Sequence, residues 1–202
     1  MQKHSLIIAF ALLFFSAASM AEETDTATVA RRTSVDSYAN KVKVSSGPMW
    51  VDSKMYVSSE NYIKNQRGFD VMVDYQHLWS SGIGVGVDYA YNRTSYSKWG
   101  HFTLIYLGPS FVYAYRGLNR FTFDVTAGLG YAYYMEPGYD HHGMGFMLKL
   151  GAEYQLFSNV GVGVEFSRIS TAYIKPEGLL IPDDESYGIA RYGVLAGLRF
   201  YF

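Results

Sequence analysis

The chain has 202 residues, enough for one domain, and its net charge of −1 leaves no basic surplus for nucleic-acid binding. It has no cysteine, which excludes disulfides, cysteine-bound zinc and a lipid-modified N-terminal cysteine. Aromatic residues make up 17% of the chain, and its 19 tyrosines and 20 glycines are typical of an all-β protein with aromatic side chains at membrane interfaces.

The N-terminus has the pattern of a targeting segment. A basic end precedes an apolar run at residues 6–15, and small residues ending in Ala21 follow. This pattern predicts a secretory signal peptide over residues 1–21, because the run is shorter than the roughly 20 residues that a membrane-spanning helix needs. Residues 22–40 are polar and without periodicity, which predicts a flexible leader before a single domain at residues 41–202.

The first strand of that domain is only weakly marked. Val42 and Val44 favour one face, whereas the apolar residues after Gly47-Pro48 alternate on the other. A β-bulge at Gly47-Pro48 would reconcile the two halves. With that bulge, the residues expected to face outward are Met49, Val51, Met55 and Val57. Those expected to face inward are Trp50, Asp52, Lys54 and Tyr56.

The clearest signal in the chain is the hairpin Phe69–Asn92. Both halves alternate strictly between large apolar residues and small or polar ones, on either side of Ser80-Ser81-Gly82. In a soluble sandwich the apolar face would form the core, whereas in a membrane barrel it would face lipid. The hairpin by itself is compatible with both. Its outward residues in the barrel interpretation include Phe69, Val71, Val73, Tyr75, His77 and Trp79.

Five more segments show the same period of two. They are Phe102–Arg116, Arg120–Met135, Gly145–Phe157, Val160–Thr171 and Arg191–Phe202. Short turns fall near residues 81, 118 and 158, and long polar segments fall near residues 62, 97, 140 and 181. This alternation predicts eight strands, with both chain ends on the side of the short turns, which is the layout of an outer-membrane barrel.

Charged residues recur on the inward faces of these strands. We place five carboxylates and three bases there: Asp74, Asp88, Asp124, Glu153, Glu165, Arg116, Lys149 and Arg199. Eight strands enclose a space that side chains just fill, and a buried unpaired charge is costly, so these groups should form a network. Glu153 and Glu165 approach each other across one strand pair, so we expect Arg199 or Lys149 between them. The network is interpreted as either an ion or proton path or a structural plug.

Two patterns could carry chemistry outside the lumen. Asp140-His141-His142 resembles a metal motif within a predicted loop at Glu136–Met144, but adjacent histidines seldom converge on one ion, so no metal or cofactor is predicted. A serine hydrolase would need a nucleophile and a base together on a strand face at the outer rim. His77 is expected near the short turns and His101 stands alone at a strand start, so no enzyme is predicted.

The chain resembles the small eight-stranded outer-membrane barrels of the OmpA and OmpX type over roughly residues 41–202. The matching features are the cleavable signal, the four alternating hairpins and the C-terminal aromatic residue. In that family the barrel-assembly machinery reads the last strand, and the corresponding residues here are Tyr192, Val194, Leu198, Phe200 and Phe202. The resemblance implies an all-β, eight-stranded antiparallel transmembrane β-barrel in the bacterial outer membrane, with short periplasmic turns and longer extracellular loops.

The expected function is that of a non-enzymatic surface protein whose loops make contacts and whose barrel supports the cell envelope. The alternatives are a narrow porin-like channel and an enzyme that modifies lipid A. The expected partners are outer-membrane lipid or lipopolysaccharide, the barrel-assembly machinery and an unidentified surface ligand, and the protein is expected to be a monomer. The acidic fourth loop, residues 175–188, would prefer basic partners or divalent ions.

Overall fold

The computed structural model describes residues 39–52, 55–56, 62–63, 66–96, 100–118, 120–136, 139–173 and 187–202. The predicted signal peptide and the predicted leader as far as residue 38 lie outside this part of the chain. The strands are β1 (Asn40–Val51), β2 (Met55–Tyr56), β3 (Tyr62–Ile63), β4 (Arg67–Leu78), β5 (Ile83–Tyr96), β6 (Gly100–Leu118), β7 (Phe121–Glu136), β8 (Tyr139–Gln155), β9 (Val160–Tyr173) and β10 (Gly188–Tyr201). No helix able to cross a membrane occurs among the described residues.

Eight of the strands close into one barrel. Their order is β1-β10-β9-β8-β7-β6-β5-β4, and every neighbouring pair is antiparallel. Strands β2 and β3 form a separate two-residue pair. Because β1 pairs with both β4 and β10, the sheet has no free edge. The predicted eight-stranded antiparallel barrel is confirmed.

The tight turn between β4 and β5 depends on one glycine. Gly82 has a φ of 81°, which favours glycine, and its N–H donates to the carbonyl of Trp79 at 3.0 Å. A Cβ at this position would lie 2.4 Å from the carbonyl oxygen of Ala114. The first and last described residues lie at this end of the barrel, because the Leu78 N–H donates to Ala39 O at 2.7 Å and the Phe202 N–H donates to Asn40 O at 3.0 Å.

At the opposite end the strands extend further than the sequence predicts. Strand β5 continues to Tyr96 and β6 begins at Gly100, whereas a loop was expected over Arg93–Gly100. The predicted loop Glu136–Met144 is likewise mostly strand, because β7 ends at Glu136 and β8 begins at Tyr139. The polar composition of these two segments does not prevent them from pairing as strands, because both faces of a strand can contact water where it extends past the lipid.

The predicted faces and bulge of the first strand are wrong. Strand β1 keeps one register against β4 from Asn40 opposite His77 to Trp50 opposite Arg67, without a bulge. Met49 and Val51 point inward and are at most 1% exposed, while Trp50 points outward and stacks on Tyr192 at 5.7 Å. The sequence misleads because the outer end of the lumen is itself apolar. The side chains of residues 53–57 lie outside the described part.

Outward side chains form an apolar band around the barrel. Its most exposed large apolar members are between 37% and 73% exposed, whereas inward positions carry buried polar and charged groups. Aromatic residues of the band near the short turns are Tyr75, Trp79, Tyr113, Phe121 and Phe202, and those toward the other end include Phe69, Tyr131 and Tyr192. This arrangement, with apolar side chains outside and polar ones inside, is that of a membrane barrel and excludes the soluble sandwich.

Candidate functional site

Nine charged side chains lie together in the lumen, and we call them the central network. Each is at most 2% exposed. The carboxylates are Asp74, Asp88, Asp124, Glu153 and Glu165, and the bases are Lys41, Lys43, Lys149 and Arg199. Strict alternation places them there, because every one lies on the inward parity of its strand.

Lys43 is at the centre of the network. Its ammonium group pairs with Glu165, and it lies 3.4 Å from Asp124 Oδ1 and 3.9 Å from Asp74 Oδ2. Its three partners belong to β9, β7 and β4. Lys43 on β1 therefore contacts one neighbouring strand, β4, and two strands that are not its neighbours in the sheet, β7 and β9. A charge-assisted bond of this kind is strong only while all partners stay desolvated and in place.

Arg199 lies between the two glutamates, where the sequence predicts a base. Its Nε donates to Glu153 Oε1 at 3.1 Å, and its Nη2 lies 3.3 Å from Glu165 Oε2. Its Nη1 also donates to Ser45 Oγ at 2.9 Å. The planar guanidinium therefore separates two like charges and contacts both of them.

Lys149 and Lys41 complete the network on either side. Lys149 Nζ lies 2.6 Å from both Asp74 Oδ2 and Asp88 Oδ1, and these two aspartates face each other across β4 and β5. Lys41 Nζ donates to both carboxylate oxygens of Glu153 at 3.0 Å. Every carboxylate of the network thus has a basic partner.

One predicted member is absent from the network and four inward charges were missed. Arg116 is half-buried near the end of β6, where the register with β7 shifts between Tyr115 and Leu118, and it forms no ion pair with a described residue. The inward charges not predicted are Lys41, Lys43, Asp70 and Arg191. Parity could have identified Asp70 and Arg191, since they lie on the same faces of their strands as Asp74 and Arg199. Both lysines were missed because the faces of the first strand were uncertain.

Beyond the network, toward the end opposite the short turns, the lumen contains an apolar layer. Its members are Met72, Ala90, Tyr106, Met147, Ile169 and Leu195, each at most 1% exposed. Six of the eight barrel strands contribute one side chain each. On β4 the inward residues run from Asp74 through Met72 to Asp70, so the layer separates the network from the next charged pair.

Two further groups fill the outer part of the lumen. Asp70 and Arg191 form a buried ion pair just past the apolar layer. A second apolar cluster then closes the outer end of the lumen, and we call it the mouth cluster: Met49, Val51, Phe102, Leu104, Ala132, Tyr134, Tyr173 and Ile189. The lumen is therefore a sequence of charged and apolar layers.

The two adjacent histidines point to opposite faces because they lie in β8. His141 faces the lumen at 8% exposure, beside the mouth cluster, where its Nε2 is 3.0 Å from Tyr187 OH. His142 faces outward, contacts Tyr131 OH and stacks on Tyr133 at 4.9 Å. Their rings cannot converge on one ion. Among the described residues, no group of three or more histidine or carboxylate side chains is arranged to hold a metal.

His101, which the sequence leaves alone, has a serine partner. Ser95 Oγ and His101 Nδ1 are 2.9 Å apart on paired positions of β5 and β6, and both side chains are exposed on the outward face. His77 faces outward near the short turns and bonds Asn40 Oδ1 at 2.9 Å. The structure thus brings one serine and one histidine together at the end of the barrel opposite the Gly82 turn.

The segment predicted as an assembly signal lies on the outward side of the last strand. Tyr192, Val194, Leu198 and Phe200 are between 38% and 48% exposed along β10, and Phe202 follows it at 58%. Their strand pairs with β1 to close the barrel.

Comparison with known proteins agrees with this architecture. A family model described as the outer membrane protein beta-barrel domain matches residues 7–200. No curated protein sequence matches the chain. Neisserial surface protein A is similar in structure, with a TM-score of 0.59 and 15% identity over 81% of this chain and 97% of that chain. OprG from Pseudomonas aeruginosa has a TM-score of 0.49 and 12% identity over 82% and 97%. The outer membrane enzyme PagL has a TM-score of 0.48 and 19% identity over 80% and 99%. At these identities the likeness concerns the fold alone.

Proposed function

The chain belongs to the family of outer membrane protein beta-barrel domains, and from that premise we propose that it is a closed, non-enzymatic barrel. The protein lies in the bacterial outer membrane. We propose that it acts through its outer surface, with the charged lumen serving as a structural plug. The observation that carries this proposal is the apolar layer between the central network and the Asp70–Arg191 pair.

The apolar layer opposes ion movement for a physical reason. An ion crossing the lumen would leave the paired charges of the central network and pass six apolar side chains that are almost fully buried. Such an ion would lose its hydration without gaining a charged partner at that level, which costs many kcal/mol. The network charges are also already paired with one another, so none of them is free to relay an ion.

Planar-bilayer recording tests the closed lumen. We expect the purified barrel to give no steady single-channel current, under conditions in which a general porin conducts. Glu165→Gln and Lys149→Met should give no steady current either, because the apolar layer remains. A steady current in the wild-type protein, altered by either substitution, would instead support the porin-like channel.

A second candidate function is lipid modification, favoured by the Ser95–His101 pair. The pair faces outward at the rim, where a headgroup could reach it, and a histidine beside a serine is the core of a nucleophilic site. Such a histidine also needs a third group to orient it. The described residues offer the His101 ring one hydrogen bond, the one to Ser95, and no such third group.

Mass spectrometry of lipid A separates the two candidate functions. We compare cells that contain the wild-type protein, the Ser95→Ala variant or no barrel, with similar amounts of folded protein in the first two. The expected result is the same lipid A mass in all three. A mass change that requires the wild-type protein and disappears with Ser95→Ala would favour the enzyme.

A further inference from the structure

An outward patch of basic side chains lies at the outer end of three neighbouring strands. Its members are Arg67 on β4, Arg93 on β5 and His101 on β6, and we call it the outer basic patch. All three side chains are exposed. Trp50 on β1 borders the patch and is half-buried against Tyr192. The patch belongs to neither the lumen nor the loops.

Strand register brings the two arginines within reach of one ligand. Arg93 is paired with Phe69, which lies two residues from Arg67 on the same face of β4. Arg67 and Arg93 are thus diagonal neighbours, with main chains about 7–8 Å apart, a separation that long side chains span. His101 continues the patch, because it pairs with Ser95, two residues beyond Arg93. Two guanidinium groups can therefore approach one anion together.

These arginines differ from the bases inside the barrel in having no acidic partner on the described strands. Each base of the central network contacts a carboxylate, whereas Arg67 and Arg93 form no ion pair with a described residue. Their register partners are Trp50, Phe69 and Thr103, none of which carries a negative charge. Within the described part of the chain, the positive charge of Arg67 and Arg93 is therefore not neutralised by an ion pair.

The patch lies at the edge of the apolar band. On the side toward the short turns, the outward faces of these strands continue into the apolar band. On that face Phe69 comes directly after Arg67, whereas Tyr91 precedes Tyr89 on β5 and Ile105 precedes Leu107 on β6. Phe69, Tyr89 and Leu107 are 53%, 37% and 50% exposed. Side chains at this boundary meet lipid headgroups, and the aromatic Trp50–Tyr192 stack beside them is typical of that level. The tight turn at Gly82 lies at the other end, and outer-membrane barrels keep their short turns on the periplasmic side, so the boundary is that of the outer leaflet.

We propose that the outer basic patch binds a phosphate group of lipid A, the phosphorylated glycolipid of the outer leaflet. Arginine suits this ligand because its planar donors match phosphate oxygens in a bidentate manner. The side chains face the bilayer just above the apolar band, which favours a phosphate carried by a lipid over a soluble anion. This inference rests on the proposed function, in which the barrel acts through its outer surface.

Native mass spectrometry of the detergent-purified full chain tests the site, with bisphosphorylated lipid A as the titrated probe. The test variant is Arg67→Gln with Arg93→Gln, and the matched control is Arg116→Gln with Arg120→Gln, which removes the same charge at the opposite rim. We expect the test variant to weaken binding roughly tenfold or more, and the control to bind like the wild type. Replacing both patch arginines with lysine should give an intermediate loss, because charge remains without the bidentate geometry.

Three results would overturn the lipid site. They are equal binding by the test and control variants, equal binding of lipid A from which both phosphates have been removed, and complete displacement by millimolar inorganic phosphate. Heat-modifiability on a gel shows that each variant is folded before it is titrated. Bilayer conductance is measured separately, so a conducting barrel that still binds lipid A through Arg67 and Arg93 would contradict the closed lumen alone.

Discussion

Replacing Lys43 with methionine is expected to lower the free energy of unfolding by about 3–5 kcal/mol. Methionine keeps most of the side-chain volume but removes the charge that pairs with Glu165 and lies near Asp124 and Asp74. Those carboxylates would remain buried with fewer bases around them, and water cannot replace the lost charge without opening the lumen. Urea unfolding of the barrel in lipid vesicles, followed by tryptophan fluorescence, measures the loss.

A double-mutant cycle shows whether the loss comes from the ion pair. Glu165→Gln combined with Lys43→Met should cost less than the sum of the two single substitutions, because the second removes a charge that the first leaves unpaired. Arg120→Met is the control, since it removes an exposed base at the rim and should leave the unfolding midpoint unchanged. Wild-type stability of Lys43→Met would show that the central network does not support the barrel.

Placing an arginine at Leu150 is expected to cost about 2–4 kcal/mol of stability in lipid vesicles, because a charge would face the middle of the hydrocarbon layer. Leu150 faces outward at 38% exposure on β8, halfway along the outward run between Met144 and Leu156. An arginine there has to extend toward a headgroup or draw water into the lipid. Urea titration in vesicles reports the cost.

The same strand supplies a control for depth. Met144 is 67% exposed on the same face of β8 but lies at the outer boundary, so Met144→Arg should cost only about 0–1 kcal/mol. The contrast between the two positions depends on the bilayer, so it should shrink in detergent micelles. Equal costs at positions 144 and 150 in vesicles would mean that the apolar band does not face lipid.

The central network also restricts strand register. Its members come from seven of the eight barrel strands, and Lys43 reaches Glu165, 122 residues away in sequence. A slip of one residue in β1 would turn Lys43 toward lipid and a valine toward the carboxylates. Both consequences are costly. The buried charges therefore favour one register of β1, even where a slipped strand would form the same number of backbone hydrogen bonds.

The sequence by itself determined the barrel and the faces of its well-marked strands. The period of two in β4 to β10 sorts side chains between lipid and lumen, because neighbouring residues of a strand must point in opposite directions. That rule predicts Asp74, Asp88, Asp124, Glu153 and Glu165 inside the barrel, with Arg199 or Lys149 between the two glutamates. The base that lies there is Arg199. The alternation of short and long connections likewise predicted the strand number.

Only the tertiary structure decided what depends on closure of the sheet. Strand β1 has apolar residues on both parities, so its faces became known only through pairing with β4 and β10, which turned Lys41 and Lys43 inward. The Ser95–His101 pair and the diagonal placement of Arg67 and Arg93 follow from register between strands. Periodicity describes one strand at a time, whereas register is set by hydrogen bonds and packing between strands distant in sequence.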